Sequence, residues 1–258
     1  MPNVIFARPR TVYDSYQDYY ALIELSGYPL IYFDEIDPQS DNCYIHTVVN
    51  GENQDGYQSP KARMILHDLE WRLDGAYPAL PGFSEVWGAD EWYVEQLRNR
   101  GVNARFVPVG SHAGLNPEPD GAREKRYDYA MLMYFTYRRQ WVRDRVMEGG
   151  LTVSPNAWRN ERHEILLSSR AMLNVHQHDN VRTVAPTRWA LVAAYRLPMI
   201  SETIDSPLWH GLYYDYEDLV DAAQTWRVRE AELREAGECL YQQMCVERTL
   251  RKCVEGAV

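Results

Sequence analysis

The sequence predicts an α/β protein built from two parallel-sheet domains. Short apolar runs alternate with segments of helical spacing along most of the chain. The alternation breaks once, near the middle, and then restarts. At 258 residues the chain is long enough for two small domains, each able to bury its own core.

In the first block "NVIFA" (Asn3 to Ala7) reads as a strand. "RPRTVYDSYQDYYALIELSG" reads as a loop and a helix, with Tyr16, Tyr19, Tyr20, Ile23 and Leu25 at helical spacing before a terminating Gly27. "PLIYF", "CYIHTVV" and "ARMILHD" read as strands, with the polar, glycine-bearing "NGENQDGYQSPK" before the last of them. "SEVWG" is a further short strand. "ADEWYVEQLRNRG" reads as a helix with Asp90 as N-cap, acids early, arginines late and Gly101 as its stop. "ARFVPVG" closes the block as a strand.

"SHAGLNPEPDGAREKR" is the linker by composition, with two prolines, two glycines and a run of charge. The second block then reads "YDYAMLMYF" strand, "TYRRQWVRDRVMEGG" helix, "LTVS" strand, "NAWRNERHEILLSS" helix, "AMLNVH" strand, "PTRWALVAAYR" helix and "PMIS" strand. From Asp215 onward a long charged helical tail carries Leu219, Val220, Ala223, Trp226, Leu233, Leu240, Met244 and Leu250 as its apolar positions. The expected domains are 1–115 and 116–220, followed by a helical tail, 221–258.

Composition narrows the function classes. Formal charge is -10, and the excess acid lies in the first half. Nonspecific nucleic-acid binding needs Lys and Arg facing phosphates, so this balance disfavours it. A local basic rim is still available, with ten Lys and Arg against six Asp and Glu between Arg123 and Arg170. The positive charge is nearly all arginine, which suits bidentate phosphate recognition. No apolar run approaches the roughly 20 residues of a membrane span, and "MPNVIFARPR" lacks the features of a signal peptide, so a cytoplasmic location is expected. The four cysteines show no CxxC spacing and read as free thiols.

In parallel sheets, ligands sit at the carboxyl ends of strands. "NVHQH" lies where a strand of the second sheet ends, and "APTR" lies at a helix N-terminus, where free N–H groups and the dipole attract anions. The stretch from Ala171 to Glu202 therefore has the polarity of a site for a phosphate-bearing ligand.

These residues also carry a resemblance. "ERHEILLSSRAMLNVH", Pro186, Arg188, an alanine-rich helix and "LPMISE" resemble, in that order, the C-terminal half of GT-B glycosyltransferases, especially the small spore-maturation and phage-type enzymes. Those show a strand of the form sK-x-x-LN-x-H, a P-x-R helix start and a strand ending in S-E. Upstream, "ILHDLEW", "VWGADEWYVEQLRNRGVNARFVPVGSHAGL" and "YDYAMLMYFTYRRQWVRDRV" are similar to the corresponding family segments, so the likeness covers about residues 62 to 220.

The resemblance implies two facing Rossmann-like domains, with the C-terminal helix packing back across the first. It implies that the second domain binds a nucleoside diphosphate sugar, most simply a UDP-sugar, and that the first presents the acceptor. It implies transfer to a hydroxyl with no metal and no permanently bound cofactor. The acceptor would be a surface glycan, a small molecule or a hydroxymethylated base of viral DNA. The chain departs from the wider retaining group at three places. Thr183 and Leu191 stand where that group has two glutamates, the second of which holds the nucleotide ribose, and Arg196 replaces the usual glycine before the last strand.

For the donor, Arg138 and Arg139 occupy a strand-to-helix turn, where guanidinium groups can neutralise a departing diphosphate, or simply be solvated. Thr187 and Arg188 open the following P-x-R helix. His176 is placed to touch a donor phosphate or sugar hydroxyl, or serves as a satisfied structural histidine; with His178 it forms an HxH pair lacking an evident third metal ligand. Asn174 ends a strand, and Glu202 ends the last one, where an acid can reach hydroxyls in place of the missing helix glutamate, or cap a helix. For the acceptor, Arg8 and Arg10 follow the first strand. His67, Asp68 and Glu70 follow "MIL" and offer a general base if the reaction inverts, or a sugar-positioning group if it retains; turn chemistry accounts for Asp68 equally well. His112 reads as structural. Trp87, Trp92 and Trp189 read as core, while Trp158 sits in a loop where stacking on a base or sugar is open to it.

Two other functions fit the same sequence: a GT-B module that binds nucleotide but has lost its chemistry, and a sugar-nucleotide epimerase or hydrolase. The sequence leaves the oligomeric state open.

Overall fold

A computed structural model describes residues 3–10, 16–47, 61–69, 83–119, 123–158, 160–179, 185–204 and 207–258. By their contacts they form two compact units. One comprises Met1–Gly110, Ala185–Thr187 and Leu250–Val258; the other comprises Ser111–Val184 and Arg188–Thr249.

The first unit holds β1 (Val4–Arg8), α1 (Gln17–Leu25), β2 (Leu30–Tyr32), β3 (Cys43–Thr47), β4 (Arg63–Asp68), β5 (Glu85–Gly88), α2 (Glu91–Asn99) and β6 (Ala104–Phe106). Its strands form one wholly parallel sheet in the order β2-β1-β3-β4-β5-β6. The order in which the chain adds strands reverses between β1 and β3, which is the switch point of a doubly wound sheet. Helices cover both faces of such sheets, so the central strands are buried on both faces rather than alternately, and all five residues of β3 are buried, His46 and Thr47 included. α2 begins as expected: the Asp90 carboxylate accepts the Tyr93 N–H at 3.0 Å, and Gly101 leaves the helix at φ +80°.

The second unit holds β7 (Tyr127–Ala130), α3 (Tyr137–Glu148), α4 (Asn160–Leu167), β8 (Ser169–Asn174), α5 (Pro186–Ala194) from Arg188 onward, β9 (Met199–Glu202), β10 (Leu212–Tyr214), α6 (Leu219–Trp226) and α7 (Glu230–Tyr241). Its sheet is parallel, in the order β10-β9-β8-β7. The expected "LTVS" strand is reduced to a single parallel bridge, Val153 to Tyr129, on the far side of β7. In chain order the second sheet therefore also reverses, between β7 and β8.

The tail is not one helix. α7 runs into a π-helical turn, Gln242–Glu247, and the chain ends in α8 (Leu250–Glu255), which belongs to the first unit. There the Tyr28 hydroxyl donates to the Arg251 carbonyl at 3.4 Å, and Arg105 donates to the Ala257 carbonyl. The C-terminal helix thus packs on the first domain, as expected. The linker is also partly structured: Ser111 is buried and donates to the Ala190 carbonyl at 2.6 Å, so this segment is tied to α5. β10 was not anticipated, because "LYY" is only three residues long and half-buried.

The expected core tryptophans Trp87 and Trp189 are fully enclosed, whereas Trp158 is exposed. Arg196 adopts φ +54°, the left-handed conformation that glycine tolerates best. Among the described residues, no helix is long and apolar enough to cross a membrane.

Candidate functional site

The polar groups of the second unit converge at the carboxyl edge of its sheet. β7 runs out into the turn that starts α3, β8 ends at Asn174 and continues through His176 to Asp179, and β9 ends at Glu202. The β7–β8 reversal opens at this edge, where a parallel sheet leaves room for a ligand.

Arg138, in the first turn of α3, is the organising cation. Its Nη1 and Nη2 donate to Oε2 and Oε1 of Glu202 at 2.5 and 2.6 Å, and its Nε donates to Asp179 Oδ1 at 2.5 Å. Its guanidinium carbon lies 3.6 Å from the centre of the Tyr216 ring, and the Tyr216 hydroxyl donates to the Arg138 carbonyl at 3.2 Å. Glu202 Oε2 also accepts the His176 backbone N–H at 2.9 Å. Burial opposes the charge on Arg138, but hydrogen bonding and attraction from Glu202 and then Asp179 outweigh it and raise the guanidinium further above its ordinary value. Arg138 is therefore held by two carboxylates, and both Glu202 oxygens are already engaged.

Arg139 is different. It is 7% exposed, with Nε donating to the Val175 carbonyl at 2.9 Å and Nη1 to the Tyr134 carbonyl at 2.8 Å. Among the described residues it has no carboxylate partner, and its Nη2 makes no hydrogen bond. Burial pushes its pKa down to about 10, and it remains a cation at neutral pH. Glu202 attracts it without a direct hydrogen bond, and a buried cation bonded only to neutral carbonyls is costly unless an anion completes it.

Arg188 reaches back from α5, its Nη1 donating to Asn174 Oδ1 at 2.7 Å while Asn174 Nδ2 donates to Ser201 Oγ at 3.0 Å. This row ties the ends of β8 and β9 to the start of α5. Thr187 lies half-buried in the same first turn, and His178 is exposed beyond His176. Leu191 is buried, and Thr183 lies outside the described residues.

At the carboxyl edge of the first sheet, Arg8 lies against two rings, 5.4 Å from the centre of Tyr20 and 5.2 Å from that of Tyr32. Arg10 is paired with Asp34 through Nε at 3.0 Å and Nη2 at 2.7 Å. His67 and Asp68 were expected to face a substrate, but both are inside the fold. His67 Nε2 donates to the Val107 carbonyl at 3.3 Å, which leaves Nδ1 to accept the Tyr19 hydroxyl at 2.6 Å. Burial lowers its pKa to about 4, so it is neutral and both ring nitrogens are engaged. Asp68 is buried and accepts the Tyr93 hydroxyl at 2.5 Å. Glu70 lies outside the described residues. Elsewhere, His112 caps a short 3-10 turn, accepting the Gly114 N–H at 3.0 Å. Among the described residues, no group of three or more His, Cys, Asp or Glu is placed to hold a metal.

No protein-family model and no curated protein sequence matches the chain. Solved structures do. The chain matches the DNA-modifying enzyme β-glucosyltransferase, solved with and without its substrate uridine diphosphoglucose, at TM-score 0.55 and 12% identity, over 100% of this chain and 99% of that one. This chain has a GT-B fold. AviGT4, a glycosyltransferase involved in avilamycin A biosynthesis, matches at TM-score 0.57 and 11% identity over 99% and 96% of the two chains. TarM matches at TM-score 0.56 and 8% identity over 87% of this chain, which spans 55% of the length of TarM. At these identities the likeness is one of fold.

Within this GT-B fold, Tyr216 and Asp179 contact Arg138, and sequence reasoning missed both. "YYDYED" reads as the start of a tail, and only the fold brings its tyrosine under Arg138. Asp179 carried a weak signal, standing one residue beyond the HxH pair.

Proposed function

We propose that the second unit binds the diphosphate of a nucleoside diphosphate sugar, a UDP-sugar before others, and that the chain transfers the sugar to an acceptor hydroxyl. Arg139 carries this reading. It is a buried cation with uncommitted donors, standing in the first turn of α3 at the sheet's switch point. Sugar transfer places negative charge on the departing diphosphate, and a fixed guanidinium with helix N–H groups stabilises that charge without a metal. Arg138 frames the site, locked by Glu202 and Tyr216, and Arg188 with Asn174 lines it. The domains are read as 1–115 for the acceptor and 116–220 for the donor, with the tail 221–258 appended.

Arg8, which has no carboxylate partner among the described residues, is assigned to the acceptor together with Arg10. The acceptor is a surface glycan, a small molecule or a hydroxymethylated base of viral DNA. The end-to-end match in length to a DNA-modifying glucosyltransferase favours testing DNA early. Calorimetric titration with UDP, GDP, ADP, TDP and CMP and their sugar conjugates tests the donor site. One preferred nucleotide supports it, and binding of none removes it.

A second reading, a module that binds donor without transferring it, is favoured by the enclosure of His67 and Asp68, which leaves Glu70 as the base expected from sequence. Nucleotide binding without sugar transfer to any acceptor or to water would select it.

A further inference from the structure

The second unit carries a cavity away from the carboxyl edge of its sheet. Residues 207–211 lead into β10 at its amino end, and with α7 and the π-helical turn they line a space of about 980 Å³. Glu202 and Asn174 end their strands at the opposite edge of the same sheet, so the cavity is separate from the donor site.

One wall is a stripe of α7 continued into the π turn, where Ala231, Glu235, Glu238 and Gln242 follow at spacings of four, three and four. The other carries Leu208, Trp209 and Tyr213, and it is fixed in place. Gln243 Nε2 donates to the Leu208 carbonyl at 3.0 Å, Gln243 Oε1 accepts the His210 N–H at 2.6 Å, and the Tyr213 hydroxyl donates to the Trp209 carbonyl at 2.9 Å. Gly211 packs so closely that a β-carbon there would lie 2.6 Å from the Trp189 ring. Walls already ordered need little further ordering when a ligand enters.

Charge and hydrogen bonding narrow the ligand class. Glu238 is neutralised by Arg196 at 2.6 Å and accepts the Gln242 amide at 2.9 Å, Arg234 stands on the same wall, and the Arg248 guanidinium lies 6.0 Å from the centre of the Trp209 ring. Neither sign of charge dominates, which suits neither a polyphosphate nor a polycation. The Glu235 and Glu247 carboxylates have no hydrogen-bond or ion-pair partner among the described residues. The open groups are therefore acceptors, and they call for O–H or N–H donors. Such acceptors beside aromatic and aliphatic surface match a ligand with hydroxyls at its edges and C–H on its faces.

We propose that this cavity is a saccharide-binding site, holding neutral sugar rings of a glycan apart from the donor site. It does not depend on the donor reading. A grip of this kind keeps a polymeric acceptor on the protein between transfers, and it favours the surface glycan among the three acceptor classes.

The test is calorimetry on the full chain with maltohexaose, cellohexaose and N-acetylchitohexaose, with spermine as a cationic probe and UDP as the probe of the carboxyl edge. Ala231→Trp fills the cavity from the exposed side of α7, and Glu235→Ala with Glu247→Ala removes the open acceptors. Melting temperature serves as the fold control. At least one hexasaccharide is expected to bind saturably to the parent, with a loss of tenfold or more in both variants and an unchanged response to UDP. Binding of no hexasaccharide overturns the assignment, and so does equal affinity in the parent and both variants, which puts the sugar elsewhere. Binding of spermine alone, lost in the double variant, makes this a cation site and overturns it too. A parent that binds a hexasaccharide in this way but no nucleotide leaves the saccharide site standing while the donor reading falls.

Discussion

Arg138 and Glu202 meet edge to edge, two guanidinium nitrogens donating to two carboxylate oxygens at 2.5 and 2.6 Å, with side chains only 15% and 10% exposed. The pair joins the start of α3 to the end of β9. Removing one partner leaves the other charge poorly solvated, so Glu202→Gln is expected to destabilise by about 3 kcal/mol, and Arg138→Met with Glu202→Leu by less than either single change. Urea unfolding of the three variants measures this.

The Arg196 backbone makes a second prediction. At φ +54° a side chain costs about 1 kcal/mol that glycine does not. Arg196 offsets it with the Glu238 pair at 2.6 Å and by lying 4.0 Å over the Tyr241 ring. Arg196→Gly is therefore expected to be about 1 kcal/mol more stable than Arg196→Ala in thermal melts.

Gly237 receives that same turn. A β-carbon there would lie 2.1 Å from the Arg196 carbonyl oxygen, a backbone atom unable to step aside cheaply. Gly237→Ala is expected to cost about 2–3 kcal/mol, read as a lower midpoint in denaturant.

Two enclosed histidines give a pH signature. Burial lowers both His46 and His67 from the ordinary 6.5 to about 4. Above pH 6.5 both states are neutral and nothing is lost. Between 6.5 and about 4 the unfolded chain takes up protons that the folded chain refuses, so stability falls with pH, and below about 4 this loss levels off. His67→Gln, which keeps a donor and an acceptor, is expected to flatten the fall in melting temperature between pH 7 and 4.

The fold was legible in the sequence because central parallel strands carry short, mostly apolar runs without alternation, as the "YI" of "CYIHT" and the "MIL" of "RMILH" do. The edge strand "LYY" and the breaks in the tail were not, since three residues carry little pattern and a π-turn depends on tertiary packing. The arginines of the site were legible from their unfavourable place at a helix start. Their division of labour was not: only the fold shows that Arg138 is bonded to Glu202 and Asp179 while Arg139 is bonded to backbone carbonyls, with no hydrogen-bonded carboxylate among the described residues. His67 and Asp68 show the converse failure. Polar residues at a strand end suggest a ligand, but Tyr19 and Tyr93, distant in sequence, supply the partners that draw them into the interior.

The most direct test of the donor site is a calorimetric titration of the parent chain and Arg139→Met with the preferred nucleoside diphosphate. Methionine fills the space without the charge but leaves the Val175 and Tyr134 carbonyls without their donor, so a stability loss of about 2 kcal/mol is expected, and melting in the same buffer checks that the variant is folded at the titration temperature. Saturable binding by the parent and a loss of tenfold or more in the folded variant are the predicted results. Equal affinity in both proteins would contradict the assignment of Arg139 to the diphosphate.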